Sequence, residues 1–328
     1  MSVVEAFPTF DKIYSYKSLM SMQTRSSAST FFKSCWLSCP DRACVTLALM
    51  GQTHQNDIER AAHLIAGADL LLVAAGAGMG VDSGLPDFRG TEGFWRAYPA
   101  LRQAGLEFTS IASPAAFEAH PERAWGFYGH RLALYRAATP HRGFAILRKW
   151  GKRMALGYGV FTSNVDGQFQ RSGFDEQRIE ECHGSIHHLQ CMTPCSFAIW
   201  PADAVVPVVD ATQCLLTSTL PACPRCGGLA RPNILMFGDS QWAESRTYDQ
   251  AERLQALLRQ AEQPVVVEIG AGSTIPSVRR FSQQVVARHN GQLIRINPSE
   301  SDVPGPSHVG LPCAGLEALA AIDACLPR

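Results

Sequence analysis

Four cysteines carry the plainest chemistry in the sequence. Cys191-x3-Cys195 and Cys223-x2-Cys226 form two close thiol pairs separated by 27 intervening residues. Pairs at this spacing suit a closed tetrahedral zinc site, where metal binding is folding energy and no coordination position is left open. Pro194, Pro224 and Gly227-Gly228 give both pairs knuckle-like turns. The remaining cysteines, Cys214 among them, are scattered, and an odd total of eleven argues against a disulfide framework.

A second set of residues points to a ligand carrying phosphate. Gly76-Ala77-Gly78 follows directly on the apolar run Leu70–Ala74, and glycines admit a close approach that a Cβ would block. Its continuation, Ser83-Gly84-Leu85-Pro86-Asp87-Phe88-Arg89-Gly90, crowds an acid, an aromatic ring and a guanidinium behind a proline. Thr162-Ser163-Asn164-Val165-Asp166 places an amide and a carboxylate two residues apart at the end of another apolar run. His183, in Glu180-Glu181-Cys182-His183-Gly184, titrates naturally near neutrality and is the first candidate for a general base. Tyr128 and Arg131 are spaced to share one helix face, which on spacing alone reads as an ordinary surface pair, although a phenol beside a planar guanidinium could also make a fork for a carboxylate.

These groups need a scaffold, and the apolar pattern supplies one. Asn56 or Asp57 can cap a helix with the face Ile58, Ala61, Ala62 and Ile65, ending near Gly67. Leu70–Ala74, Tyr158–Thr162, Val265–Ile269 and Leu293–Asn297 read as short buried strands. Helical stretches lie between them; Thr139-Pro140 looks like the opening of one that carries Phe144, Ile146, Leu147 and Trp150. Such alternation predicts an α/β fold whose parallel sheet is covered by helices on both faces, with ligands at the carboxyl ends of its strands. Residues 96–150, purely helical, and 186–230, rich in Pro and Cys, interrupt the pattern and should form a second lobe.

Charge and hydropathy narrow the partners. Lys+Arg and Asp+Glu both number 29, which argues against nucleic-acid or anionic-membrane binding as the main task. No apolar run approaches the roughly 20 residues of a bilayer span, so a soluble globular protein without a membrane partner is expected. Residues 1–50 differ from the rest. No acidic residue falls between Lys12 and Pro40, as in an organelle transit peptide, but Glu5 and Asp11 precede it and no Arg-rich amphipathic helix is evident. The segment reads as a poorly ordered extension and the location as cytoplasmic, with a mitochondrial address as the alternative.

Taken together, the motifs resemble the sirtuin family of NAD-dependent protein lysine deacylases, from about Asp57 to the C-terminus. Gly76-Ala-Gly-Met79 and Ser83-Gly-Leu-Pro-Asp-Phe-Arg89 are similar to the family's GAG and SGIPDFR signatures; Thr162–Asp166 resembles TQNID and Cys182-His183-Gly184 resembles HG. Arg231-Pro-Asn-Ile-Leu-Met-Phe-Gly-Asp239 resembles the RP…FGE segment, Gly270-Ala-Gly272 stands for GTS, and Ile296-Asn297 for the late IN. Departures are Ser163 for the family Gln, Gly80 for a Ser, Ala271-Gly272 for Thr-Ser and Asp239 for Glu.

The resemblance implies a Rossmann-like sheet domain with a smaller lobe built from a helical insertion and a zinc-binding module. Its NAD-binding part would take residues about 51–95, 140–185 and 230–328, and the small lobe about 96–139 and 186–229. NAD would be held by Gly76, Ala77, Gly78, Asp87, Phe88, Arg89, Ser163, Asn164, Asp166, Gly270, Gly272 and Asn297. His183 would be the base toward the nicotinamide ribose, Asn164 would hold the ribose and its water, and Asp166 the carboxamide. Phe237 and Gly238 would pair with an acylated-lysine peptide as an added strand. Zinc would sit on Cys191, Cys195, Cys223 and Cys226. Ala112, Tyr128 and Arg131 resemble the desuccinylase and demalonylase branch, implying an acidic acyl group and O-acyl-ADP-ribose as product. Two further readings keep the site: ADP-ribosyl transfer or NAD hydrolysis, and a non-catalytic NAD or ADP-ribose sensor.

Overall fold

The computed structural model describes residues 55–87 and 90–327. Expectations for residues 1–50, Phe88 and Arg89 fall outside them.

The chain enters through helix α1 (residues 55–66), whose Ala61, Ala62 and Ile65 are buried as the apolar spacing requires. Strand β1 (Leu70–Ala75) follows, buried at every position. Six short helices come next: α2 (Gly90–Ala97), α3 (Pro99–Gln103), α4 (Phe108–Ile111), α5 (Pro114–Ala119), α6 (Pro121–Ala137) and α7 (Arg142–Gly151). The proposed opening of α7 at Thr139-Pro140 is corrected: the cap is His141, whose Nδ1 accepts from Gly143 N–H at 3.0 Å. An imidazole acceptor does the work expected of a threonine hydroxyl.

Then come β2 (Tyr158–Thr162), α8 (Gln168–Arg171) and β3 (Ile179–Glu181). The segment between the sheet strands opens with β4 (Gly184–Cys191), then β5 (Ile199–Pro201), β6 (Val209–Asp210), β7 (Leu215–Leu216) and β8 (Ala230–Ile234). Strand β4 pairs antiparallel with β5 and β8, so this segment holds more sheet than its weak periodicity predicts. The chain closes with α9 (Ser245–Leu258), β9 (Pro264–Ile269), α10 (Ser277–His289), β10 (Gln292–Ile296), β11 (Val309–Leu311) and α11 (Gly315–Cys325).

The main sheet is six-stranded, ordered β11-β10-β9-β1-β2-β3, and every pairing in it is parallel. From β1 the chain runs outward to β3; from β9 it runs outward the opposite way to β11. The order therefore reverses between β1 and β9, and a crevice opens at their carboxyl ends. Alternate residues of β1 explain the two covering layers. Leu71, Val73 and Ala75 join a core with Ile65, Phe144, Leu147, Trp150, Leu319 and Ile322 from α1, α7 and α11. Leu70, Leu72 and Ala74 join another with Leu254 and Leu258 of α9 and Val278, Phe281 and Val285 of α10. A third core, built on Phe94, Phe117, Trp125, Phe127 and Tyr128, packs against Ile186, Leu189 and Ala230 and unites helices α2–α6 with the β4–β8 sheet. Trp125 Nε1 locks that union by donating to the Ala230 carbonyl at 2.9 Å.

One titration is written into the outer strand. Glu180 on β3 is 4% exposed, and burial pushes its carboxyl up to about 8. A group whose folded pKa is raised gives stability below its unfolded value and loses it as pH rises through the folded one. Glu180→Gln should therefore leave Tm unchanged at pH 4.5 and raise it by roughly 2–6 °C at pH 8, read by calorimetry. Equal Tm changes at both pH values would contradict the burial of that carboxyl.

Candidate functional site: the switch-point crevice

At the head of the crevice two βα turns interlock. The Gly76 N–H donates to the Ile269 carbonyl at 2.9 Å and the Gly78 N–H to the Gly270 carbonyl at 3.1 Å. A Cβ on Gly76 would stand 2.7 Å from the Gly270 oxygen, and one on Gly270, where φ is +61°, 2.4 Å from the Gly78 Cα. The glycine pattern thus has a packing cause in addition to any ligand. Gly78's N–H is engaged by β9's turn, so the structural role of the two glycines stands beside the close approach they allow a ligand. Ala77 lies in the 3-10 helix Ala77–Ser83 that follows. Gly272 is open, with only Glu300 Oε1 at 3.9 Å from a Cβ placed there.

The Thr162–Asp166 motif is tied to this joint. The Thr162 hydroxyl donates to the Ala75 carbonyl at 3.0 Å, the Ser163 N–H to the same carbonyl at 3.1 Å, and Asn164 Nδ2 to the Gly76 carbonyl at 3.0 Å. Asp166 is buried and takes the Gln168 N–H at 2.9 Å. Burial raises its carboxyl to about 6, against that bond and the Arg131 charge, which pull it down. A Cβ on Gly80 would lie 3.3 Å from the Leu85 side chain and 3.7 Å from the Asp166 carboxylate, so the glycine lets these two close on it. Asn297 is engaged at the end of β10. Its Nδ2 donates to the Ala271 carbonyl at 2.9 Å, and its Oδ1 accepts from the Ser299 and Glu300 N–H groups. That amide shapes the turn.

His183 is half-buried just after β3. Its Nε2 meets the Ser277 hydroxyl at 3.1 Å, and burial lowers the ring to about 4 despite the Ser163 carbonyl, which favours its charged form. It is neutral at pH 7, the state a base requires.

Across the crevice lies the small lobe. Arg131 is buried on α6, its guanidinium 5.2 Å from the Phe127 ring, 5.7 Å from Tyr128 and 5.3 Å from Tyr135. Nε and Nη2 both donate to the Tyr135 hydroxyl, at 3.0 and 2.9 Å. Tyr128 stacks on Phe117, and Ala112 lies buried in the same core. The Ala112 carbonyl accepts the Phe237 N–H at 2.9 Å, joining this wall to the Phe237-Gly238-Asp239 segment. That segment is anchored from beneath by an Arg231–Asp239 pair with both side chains at 0% exposure, Nη1–Oδ2 2.8 Å and Nη2–Oδ1 2.9 Å. Gly238, at φ +68°, has open space where a side chain would stand.

The four cysteines converge. Their sulfurs all lie within 4.8 Å of one another, with Cys191–Cys226 at 3.7 Å and Cys195–Cys223 at 3.6 Å. A tetrahedron with Zn–S near 2.3 Å has edges of about 3.8 Å, so the donors fit that ion in number, type and spacing. Cys223 N–H to the Gly228 carbonyl and Gly227 N–H to the Cys223 carbonyl close the second knuckle at 2.6 and 2.9 Å. Cys214 belongs elsewhere: it is buried at φ +54° beneath α6, where a Cβ on Gly126 would strike its carbonyl at 2.2 Å. Sequence reasoning passed over Tyr135 and Ser277. Tyr135 stands one helical turn after Arg131 and was reachable from spacing; Ser277 lies 94 residues from His183 and left no local signal. Cys226→Ser should drop zinc in purified protein from about one equivalent to well below half, with Tm lowered by at least about 5 °C, by elemental analysis and calorimetry. Metal-free wild type of equal stability would contradict the assignment.

Comparisons with known proteins agree on one family. The Sir2 family model matches residues 76–270. A protein of Aquifex aeolicus named NAD-dependent protein deacylase is 30% identical over 71% of this chain and 85% of its own length. One of the same name from Thermococcus sibiricus is 28% identical over 75% and 87%. Among solved structures, a Sir2 homologue–NAD complex shares the fold at TM-score 0.60 and 24% identity, over 81% of this chain and 92% of that one. With the match running from the first glycine of the β1 turn to the glycine that ends β9, this chain belongs to the Sir2 family.

Proposed function

We propose that the protein is an NAD-dependent protein lysine deacylase, and that it takes acyl groups ending in a carboxylate, such as succinyl or malonyl. The names of the Aquifex and Thermococcus relatives support the reaction, and the interlocked glycine turns and neutral His183 support the place for it. The observation that carries the acyl class is Arg131: a guanidinium buried among aromatic rings, oriented by Tyr135, beside a wall that contains Ala112 and Tyr128. A carboxylate reaching it would meet a planar donor in a low-dielectric setting, where charge-assisted bonds are strong. Replacing that carboxylate by a methyl group forfeits the bonds, which is how such sites discriminate.

NAD, when bound, supplies the ribose that accepts the acyl group as nicotinamide departs. The chain's own groups then divide the remaining work. His183 takes a proton from a ribose hydroxyl at Nε2; Asn164, fixed to the Gly76 carbonyl, holds the ribose and its water. Asp166 receives the carboxamide. Asp87, Ser163, Gly270, Gly272 and Asn297 line or shape the NAD side, and the Phe237-Gly238 backbone offers a strand edge to the peptide. The Cys191, Cys195, Cys223 and Cys226 zinc holds the small lobe in place.

Steady-state rates on succinyl-lysine and acetyl-lysine peptides test the reading. Wild type should favour succinyl in kcat/KM, and Arg131→Met should lower that value by about 10²-fold while changing acetyl turnover less than threefold. An Arg131→Met enzyme with unchanged succinyl preference would sink the acidic-acyl assignment.

A further inference from the structure

We propose that Ser277 is a positioning residue for His183: its hydroxyl holds the imidazole in one orientation and one tautomer. The inference rests on the reading of His183 as the base.

The geometry carries it. Ser277 opens α10, a helix of 13 residues, and is 4% exposed. A hydroxyl that deep requires a partner. Serines at a helix start ordinarily satisfy their own backbone, yet this hydroxyl reaches 94 residues away, to His183 Nε2 at 3.1 Å. In the tautomer that suits a base, Nδ1 carries the ring proton and the Ser277 hydroxyl donates to the Nε2 lone pair. That hydroxyl reaches the ring from the start of α10. A hydroxyl donating to the lone pair stabilises the neutral imidazole, and the positive end of α10 disfavours its charged form. Both effects keep Nε2 ready to receive a proton when a ribose hydroxyl displaces the serine.

The test uses the full chain with Ser277→Ala, Ser277→Thr and His183→Ala. In Ser277→Ala, NMR titration of His183, assigned by its loss in His183→Ala, should show the ring pKa raised by about half to one unit. Its kcat on an acylated peptide should fall about 3- to 10-fold with KM for NAD within twofold, and Ser277→Thr, which keeps the hydroxyl, should restore both. An unchanged His183 titration in folded Ser277→Ala would overturn the role of Ser277, whatever the activities. Full activity in His183→Ala would instead overturn the base assignment.

Discussion

The crevice exists because two strands of a parallel sheet are followed by turns that touch through bare backbone. Gly76 and Gly270 sit where the strand order reverses, each in a space with no room for a Cβ. The residues at the carboxyl ends of β1 and β2 are referred to that contact. The carbonyls of Ala75 and Gly76 receive Thr162, Ser163 and Asn164. Those residues fix the exit of β2, which leads on to the strand before His183. The turn after Gly270 runs on to Ser277, which meets that histidine. A side chain at either glycine would separate β1 from β9 and disperse the cluster by ångströms, enough to disable a site built on hydrogen-bond distances.

The second lobe brings a different kind of control. Its core is aromatic, and it buries two guanidinium groups with different partners. Arg231 is spent on Asp239 in a bidentate pair that anchors the Phe237-Gly238 edge. Breaking a pair this deep leaves an uncompensated charge and costs about 3–5 kcal/mol. Arg131 is held by a phenol oxygen and π faces, and its charge still reaches Asp166 across the crevice. The Arg131 lobe and the Asp166 carboxylate therefore share an electrostatic field.

Much of this was legible in the sequence because it is local. The core strands, the cysteine pairs and the Tyr128–Arg131 face follow from period and spacing alone. Glycines at the β1 turn were also visible, but their packing partners were not: the N–H of Gly78 and the amide of Asn297 reach backbone far away in sequence. The α7 start was displaced because an imidazole caps it. Strand β4 was hidden because its own Gln190 accepts from the polar Asn233 of β8 and the apolar alternation fails there. Ser277 was invisible, since nothing in a sequence brings it to a histidine so far away.

The most direct measurement is nicotinamide release from NAD by purified protein with no peptide, with an acetyl-lysine peptide and with a succinyl-lysine peptide, alongside the appearance of free lysine product. Release that requires an acylated peptide, is greatest with the succinyl one and matches deacylated product mole for mole is the predicted result. Release at the same rate without any peptide would contradict the account and reassign the crevice to NAD hydrolysis or ADP-ribosyl transfer.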